Sequence, residues 1–205
     1  MDNILASILG SANRAKLLRL FVSNPDTSFS KKEIEKKLRS KSQEINKILN
    51  AFVKIKLLSV SECKDPKSKR KSKCYKLNNN FDQINNLRQF VLGFTPADDK
   101  EIVSLLSKAG SIKLALLSGV FLSNTDSPVD ILIVSDNIKE KKLEKAILEI
   151  ESYIGKEIRF ALFNTDEFKY RVSLYDKLLR EFLDKPYKVA KNSLGDFWKD
   201  LSMIS

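Results

Sequence analysis

The chain contains no histidine and only two cysteines among its 205 residues. Histidine is the commonest general base in enzymes and the commonest metal ligand, so its absence excludes every catalytic triad that uses it. Two cysteines without histidine cannot supply the ligands of an ordinary zinc site. Any catalysis would therefore have to rest on carboxylates, lysines or hydroxyl groups.

The two cysteines, Cys63 and Cys74, flank the most basic part of the chain. They would face each other if that part formed a hairpin, and a redox-sensing pair beside a binding surface is one interpretation. The other is that both are small strand residues in a reducing compartment, where disulfides are rare. The compartment argument favours the second interpretation.

Long apolar runs are also absent, since no stretch approaches the roughly 18 residues of a membrane span. The first residues, Met1-Asp2-Asn3-Ile4, show neither a basic region nor a signal-peptide core. Hydrophobic residues make up 42% of the chain, an ordinary share for a globular protein. We therefore expect a cytoplasmic protein that does not bind a membrane.

Positive charge is abundant, and nearly all of the excess lies in the first eighty residues. Residues 1–80 carry 19 lysines and arginines against 7 acids, whereas residues 81–205 carry 18 against 19. Within the basic part, the run from Lys64 to Lys76 holds seven cations and one acid. Such asymmetry suggests a module that binds a polyanion, joined to a module with another task.

The first half of the sequence predicts three helices. Ser11 is a predicted N-cap of the first helix, and the second, over 31–38, begins with a predicted capping box. The third begins at Ser42 and reaches about residue 55. Its buried face is predicted to hold Ile45, Ile48, Leu49, Phe52 and Ile55, and its exposed face Gln43, Asn46, Lys47, Asn50 and Lys54.

A hairpin is predicted next, with strands over 57–61 and 74–77 and the basic run as a long loop between them. This order of elements resembles the winged helix-turn-helix of bacterial and archaeal regulators such as the ArsR and MarR groups. The resemblance rests on "SFSKKEIEKKLRSKSQEINKILNAFVKIKLLSVSE", with "KCYKLN" closing the wing. Family members often have glycine in the turns on either side of the third helix, where this chain has Arg39 and Lys56.

The third helix offers amides and a lysine on its exposed face, which suit the edges of adenine and guanine in the major groove of double-stranded DNA. The residues expected to contact bases are Ser42, Gln43, Asn46, Lys47 and Asn50. The wing residues expected to lie along phosphates are Lys67, Lys69, Arg70, Lys71 and Lys73. Two alternatives stay open: the polar face is merely solvated, or the winged helix binds protein. RNA is disfavoured because Tyr75 is the only aromatic residue near the wing.

The second half begins with a linker helix, predicted over 81–97, and then alternates helices and strands. In winged-helix proteins such a helix often pairs across a dimer axis, so the resemblance implies a homodimer. Further helices are predicted over 98–108, 139–154, 165–183 and around 195–198, and strands over 112–117, 129–134, 157–163 and 187–190.

Residues from about 98 to 190 resemble the minimal nucleotidyltransferase fold. The resemblance rests on "IKLALLSGVFLSNTDSPVDILIVSD" and "GKEIRFALFNTDEFKYRVSLYDKLLREFLDKP". That family carries Gly-Ser after its first strand, which holds nucleotide phosphate, and Asp-x-Asp on the next strand, which binds Mg²⁺. A third acid lies on the strand after that.

The catalytic pattern of that family is incomplete in this chain. Gly119 matches the glycine, but Val120 replaces the serine. Asp130 matches the second carboxylate, but Pro128 replaces the first, and Arg159 stands where the third acid is expected. One carboxylate is a poor magnesium site for phosphoryl chemistry. We therefore interpret Gly119 and Asp130 as a vestigial nucleotide site, with Asp130 as a relic or a hydrogen-bonding cap.

Together these features predict an α+β protein with a winged helix-turn-helix over 1–80, a linker helix over 81–97 and a nucleotidyltransferase-like domain over 98–205. The leading hypothesis is a DNA-binding transcriptional regulator without catalytic residues, metal or cofactor. Its second domain would dimerise, sense a small-molecule effector or dock a protein partner. One alternative is an active Mg²⁺-dependent nucleotidyltransferase, which would need Asp126 beside Asp130. Another is an antitoxin-like interaction module.

Overall fold

The structure is a computed structural model that describes residues 4–40, 42–64, 71–94, 98–122 and 126–196, apart from the side chains of Ser42 and Lys64. It is a mixed α+β protein, as the sequence predicts. The chain divides into two compact units, one of Met1–Ala97 with Glu151–Lys156 and the other of Asp98–Ile150 with Glu157–Ser205. None of the described helices is long and apolar enough to cross a membrane.

The first unit combines helices with a small antiparallel sheet. Its described elements are α1 (Ile4–Leu9), α2 (Ala12–Ser23), β1 (Phe29–Ser30), α3 (Lys31–Leu38), α4 (Ser42–Lys54), β2 (Leu58–Lys64), β3 (Lys71–Leu77) and α5 (Ile84–Gly93). The strand order is β1-β3-β2, with both pairs antiparallel. The short helix α1 has no counterpart among the predicted elements.

Two predicted helix starts of this unit are confirmed at the level of their caps. The Ser11 hydroxyl accepts a hydrogen bond from the Arg14 N–H at the start of α2. Ser30 and Glu33 cap α3 reciprocally: the hydroxyl accepts from the Glu33 N–H, and the carboxylate accepts from the Ser30 N–H at 2.7 Å. Both caps join residues three apart, which makes them visible in the sequence.

The amphipathic pattern of α4 sets its rotation against the core. Ile45, Ile48 and Leu49 are buried there with Phe21 and Leu17 of α2. The predicted buried face is therefore largely confirmed, since the helical period places these residues on one side.

The prediction was wrong at the C-terminal end of the buried face of α4. Phe52 is half-buried, but Ile55 lies just beyond the last residue of α4 and is 55% exposed. The helix ends at Lys54, so the helical period no longer carries Ile55 to the buried side.

The helix predicted over 81–97 begins at Ile84 and ends at Gly93, and it lies within the first unit. Ile84 and Val91 are buried in that unit's core, whereas Phe90 is 43% exposed. The helix α5 therefore packs on its own unit through one face and leaves apolar surface on another.

The second unit surrounds a four-stranded sheet with helices. Its described elements are α6 (Asp99–Ser107), β4 (Leu114–Leu117), a 3₁₀ turn (Gly119–Phe121), β5 (Ile131–Val134), α7 (Glu140–Ile154, of which residues 151–154 belong to the first unit), β6 (Phe160–Phe163), α8 (Thr165–Ser173), α9 (Lys177–Leu183) and β7 (Lys188–Asn192). The order is β6-β5-β4-β7, parallel between β5 and β6 and antiparallel elsewhere. Every residue of β4 and β5 is buried, so both faces of the central strands are covered.

The prediction of one helix over 165–183 is wrong, because α8 and α9 are separate. Tyr175 adopts a left-handed backbone conformation with φ of 52°. The Asp176 side chain then accepts from the N–H groups of Leu178 and Leu179, which begins a new helix. An aspartate in the middle of an apolar helical pattern is a weak signal of such a break.

The prediction of a C-terminal helix around 195–198 is wrong for its first two residues. Gly195 and Asp196 are not helical. Phe197 and Trp198 lie outside the described residues.

Candidate functional site

The exposed face of α4 carries the polar side chains that the sequence singles out for DNA. Gln43, Lys47 and Asn50 are exposed, and Asn46 is half-buried. Ser42 begins the helix, but its side chain lies outside the described part of the chain. The four described side chains therefore share the side of α4 that the core leaves open.

An acid, Glu44, also lies on the exposed side of α4 and would repel phosphate. Its carboxylate accepts hydrogen bonds from the Ser11 hydroxyl at 3.1 Å and from the Asn13 amide at 2.5 Å. These contacts join the start of α4 to the start of α2. Glu44 thus has a structural role in holding two helices together.

The turns that flank α4 use left-handed residues in place of glycine. Arg39, which ends α3, has φ of 52°, and Lys56, which follows α4, has φ of 61°. In L-residues this conformation costs about 1 kcal/mol or more because Cβ approaches the backbone. Arg39 and Lys56 therefore keep the left-handed backbone that glycine adopts more readily.

The basic run was predicted to be a loop between strands that end at residue 61 and begin again at residue 74. In the structure both strands extend into this run. The strands β2 and β3 pair as far as Lys64 opposite Lys71, so Lys71 and Lys73 lie in a strand. Both of those side chains are exposed. The other predicted wing residues, Lys67, Lys69 and Arg70, lie outside the described residues. The strands extend because hairpin pairing continues once its register is set.

The strand part of the hairpin keeps a net positive charge. Glu62 forms an ion pair with Lys71 at 3.0 Å, and both side chains are 74% exposed. An exposed pair of this kind contributes little stability. Lys73 is directly opposite Glu62 in register, so one acid lies among the lysines of this end of the hairpin.

Cys63 and Cys74 form a disulfide across the hairpin, with their Cα atoms 5.7 Å apart. The interpretation of two unconnected strand residues is therefore wrong. The two cysteines are diagonal neighbours, because Cys63 is opposite Ser72 and Cys74 is opposite Ser61. The sequence separation of 11 alone does not reveal this register.

In the second unit, Asp130 lies immediately before β5 and is 1% exposed. Its carboxylate accepts a hydrogen bond from the Val120 N–H at 3.0 Å. Gly119 has φ of 54°, and a Cβ there would lie 1.9 Å from an Asp130 oxygen. The glycine is thus required by the close approach of the carboxylate as well as by its own backbone conformation.

Arg159 supplies the remaining partners of that buried carboxylate. Its backbone N–H donates to Asp130 Oδ2 at 2.8 Å, and its guanidinium Nε and Nη2 donate to the two carboxylate oxygens at 3.2 Å each. In return the Asp130 N–H donates to the Arg159 carbonyl at 2.7 Å. The Asp130 carboxylate therefore accepts four hydrogen bonds, one from Val120 and three from Arg159.

A cavity of about 440 Å³ adjoins this ion pair. The Arg159 side chain, which is 53% exposed, forms part of its wall. The other lining residues are Asp126, Ser127, Pro128, Glu181, Asp184 and Lys185. The cavity therefore presents both signs of charge.

A second polar cluster, which the sequence analysis missed, lies at the opposite ends of the same strands. Asp136 follows β5 and accepts from the Lys113 ammonium and from the Thr165 N–H that begins α8, the latter at 2.7 Å. These hydrogen bonds, led by that from Lys113, lower the pKa of Asp136 from 3.8 to about 2. The cluster joins three elements of the unit, and no local sequence signal reports it.

The described residues include no group of three or more histidine, cysteine, aspartate or glutamate side chains placed to hold a metal ion. Comparison of the chain with models of protein families, with curated proteins and with solved structures found no match.

Proposed function

We propose that the protein is a DNA-binding transcriptional regulator whose first unit is a winged helix-turn-helix. The observation that supports it best is the presence, in one compact unit, of the open polar face of α4 and a basic antiparallel hairpin. The core fixes the rotation of α4, so its amides and lysine are held ready on one side. Preorganised polar groups lose less entropy on binding than mobile ones.

In this proposal α4 enters the major groove of double-stranded DNA. Gln43 and Asn50 would read adenine edges, and Lys47 would read guanine. The hairpin would lie along the backbone, where lysines neutralise phosphates and set the register of the protein on the duplex. A homodimer would place two copies of α4 on half-sites about one helical turn apart.

The second unit is proposed to be non-catalytic. Its buried carboxylate, Asp130, is engaged by Arg159 and by the Val120 N–H, and a carboxylate already paired with a guanidinium is a poor ligand for Mg²⁺. The unit would instead contribute to dimerisation, to the sensing of a small molecule or to docking of a protein partner.

Selection of genomic DNA fragments by the full-length protein tests the DNA proposal. If each protomer neutralises about five phosphates, the affinity for a selected duplex should fall with salt with a log–log slope near −4.5 per protomer. A flat response to salt, or enrichment of no DNA, would contradict the proposal.

Two variants that each lose four positive charges test whether the hairpin is the part that contacts DNA. Changing Lys67, Lys69, Arg70 and Lys71 to alanine should weaken binding to all duplexes and reduce the salt slope. The control removes four exposed lysines of the second unit, Lys100, Lys141, Lys142 and Lys169. An equal loss in the control would mean that net charge, and not the hairpin, carries the binding.

The non-catalytic proposal is tested separately with labelled nucleoside triphosphates and Mg²⁺. We expect no transfer of label to the protein or to added DNA, RNA or protein acceptors. Transfer that Asp130→Ala abolishes would establish the enzyme alternative.

A further inference from the structure

The disulfide encloses most of the cations of the hairpin. The ring it closes runs from Cys63 to Cys74 and contains Lys64, Lys67, Lys69, Arg70, Lys71 and Lys73. Asp65 is the one acid in this ring. The ring closed by this one bond thus includes six of the seven cations in the sequence from Lys64 to Lys76.

The ladder at this end of the hairpin has weak support apart from that bond. Its last described pair is Lys64 with Lys71, and the terminal pairs of a ladder open at little cost in free energy. Both side chains of the ion pair between Lys71 and Glu62 are 74% exposed, so solvent screens their attraction. In contrast, the other end of the ladder is anchored by buried Leu58 and Leu77. Opening the disulfide should therefore loosen the cationic end and leave the apolar end in place.

The two cysteine residues differ in their exposure to solvent. Cys63 is half-buried, whereas Cys74 is 5% exposed. An incoming thiolate reaches a disulfide more readily at its accessible sulfur. The Ser72 carbonyl lies 3.4 Å from Cys63 Sγ, so a Cys63 thiol would have a hydrogen-bond acceptor at the same place.

We propose that Cys63 and Cys74 are a reversible thiol–disulfide site that controls the order of the basic hairpin and, through it, the affinity for DNA. The co-reactant is a low-molecular-weight thiol. Its thiolate attacks Cys63 Sγ and expels the Cys74 thiolate, and a second thiol then attacks the added sulfur and releases Cys63. Two protein thiols and one small disulfide result, so the protein gains two electrons and two protons. The effect on DNA rests on the proposed function, whereas the exchange itself does not.

Reversible exchange of the disulfide is tested by equilibrating the full-length protein with mixtures of reduced and oxidised glutathione. Alkylation followed by mass measurement then counts free thiols. We expect the pair to pass from fully oxidised to fully reduced within this series. A disulfide that resists every glutathione mixture and opens only in dithiothreitol would be a permanent staple and would overturn the proposal.

The effect of the disulfide on the order of the hairpin is tested by amide hydrogen exchange in the oxidised and reduced proteins. Because the Asn78 N–H donates to the Leu57 carbonyl, alternate residues of β3 donate to β2, and these include Ser72 and Lys76. Reduction should speed exchange at Ser72, near the cationic end, and leave Lys76 unchanged. Loss of protection throughout the first unit, including Phe21 of α2, would assign the bond a global stabilising role and overturn the proposal.

The functional part compares the oxidised protein, the reduced protein and the variant Cys63→Ser/Cys74→Ala on a selected DNA duplex. The oxidised form should bind about 5- to 10-fold more tightly, because ordered cations lose less conformational entropy on contacting phosphates. The variant should match the reduced protein and show no redox response. Equal affinities of the oxidised and reduced proteins would overturn the control of affinity. If no form binds DNA, the function proposed above fails, and the thiol-counting and exchange measurements still decide the redox site.

Discussion

The Arg159 guanidinium donates to both oxygens of the buried Asp130 carboxylate, and the Arg159 backbone N–H donates to one of them as well. A single residue thus provides three of the hydrogen bonds that hold this acid. The same carboxylate accepts from the turn after β4 through the Val120 N–H. The acid therefore links three strands of the second unit where a metal-dependent enzyme would need its carboxylates open.

The first prediction concerns the stability that this pair contributes. Asp130→Ala should lower the free energy of unfolding by about 3 kcal/mol, since it leaves buried N–H groups without an acceptor. Arg159→Ala should cost about 1–2 kcal/mol, because the carboxylate keeps its backbone donors and the guanidinium is half-exposed. Urea unfolding of both single variants and of the double variant should reveal a coupling of about 1 kcal/mol or more. The exposed pair of Lys177 and Glu181 serves as a control with little coupling. Strict additivity at Asp130 and Arg159 would contradict the structural role.

Gly119 should tolerate no side chain while Asp130 is present. Gly119→Ala places a methyl group 1.9 Å from the carboxylate, so we expect a loss of about 2–4 kcal/mol in unfolding free energy. In an Asp130→Ala background the additional loss should fall to about 1–2 kcal/mol, because only the left-handed backbone and a 3.2 Å approach to the Cα of residue 130 remain. Thermal or urea unfolding of the four proteins measures this. An equal loss in both backgrounds would show that the carboxylate is not the obstacle.

The turn after α4 should accept glycine with a gain in stability. Lys56→Gly should raise the free energy of unfolding by about 0.5–1 kcal/mol, because glycine adopts φ near 61° without the strain of a Cβ. The backbone carbonyl of this residue, which accepts from the Asn78 amide, is retained. The matched control is Lys47→Gly within α4, which should cost about 1 kcal/mol. Destabilisation by Lys56→Gly would contradict the left-handed conformation.

The hydrogen bonds around Asp136 should make the free energy of unfolding depend on pH in acidic solution. Its pKa is lowered from 3.8 to about 2, so the carboxylate stabilises the folded state above about pH 4, and this contribution is lost as the pH falls towards 2. Asp136→Asn should therefore flatten the dependence of the urea midpoint on pH between about 4 and 2. Lys113→Gln, which removes the first cause of the shift, should flatten it in part. Wild-type steepness in both variants would exclude this group as the source.

Local features of the first unit could be predicted because their causes lie within a few residues. The Ser30–Glu33 capping box and the buried face of α4 both follow from spacings of three or four residues. The exposed positions of Gln43, Lys47 and Asn50 follow from the same period. Where the helical period ended, at Lys54, the prediction for Ile55 failed.

Features that depend on pairing between distant segments could not be predicted. The strands of the hairpin continue into the basic run, and a diagonal register brings Cys63 to Cys74. Likewise, the separation of α8 from α9 depends on the left-handed backbone of Tyr175. The apolar pattern of residues 165–183 by itself favours one continuous helix. Register and backbone reversals reflect the balance of many contacts, which a periodic pattern does not contain.

The sequence by itself determined the concentration of positive charge in the first eighty residues and the amphipathic face of α4. These are properties of composition and short-range spacing. Only the tertiary structure decided that Arg159 neutralises Asp130 and that a disulfide encloses the hairpin cations. Those pairings join residues 29 and 11 positions apart, and they form because β5 aligns with β6 and β2 aligns with β3.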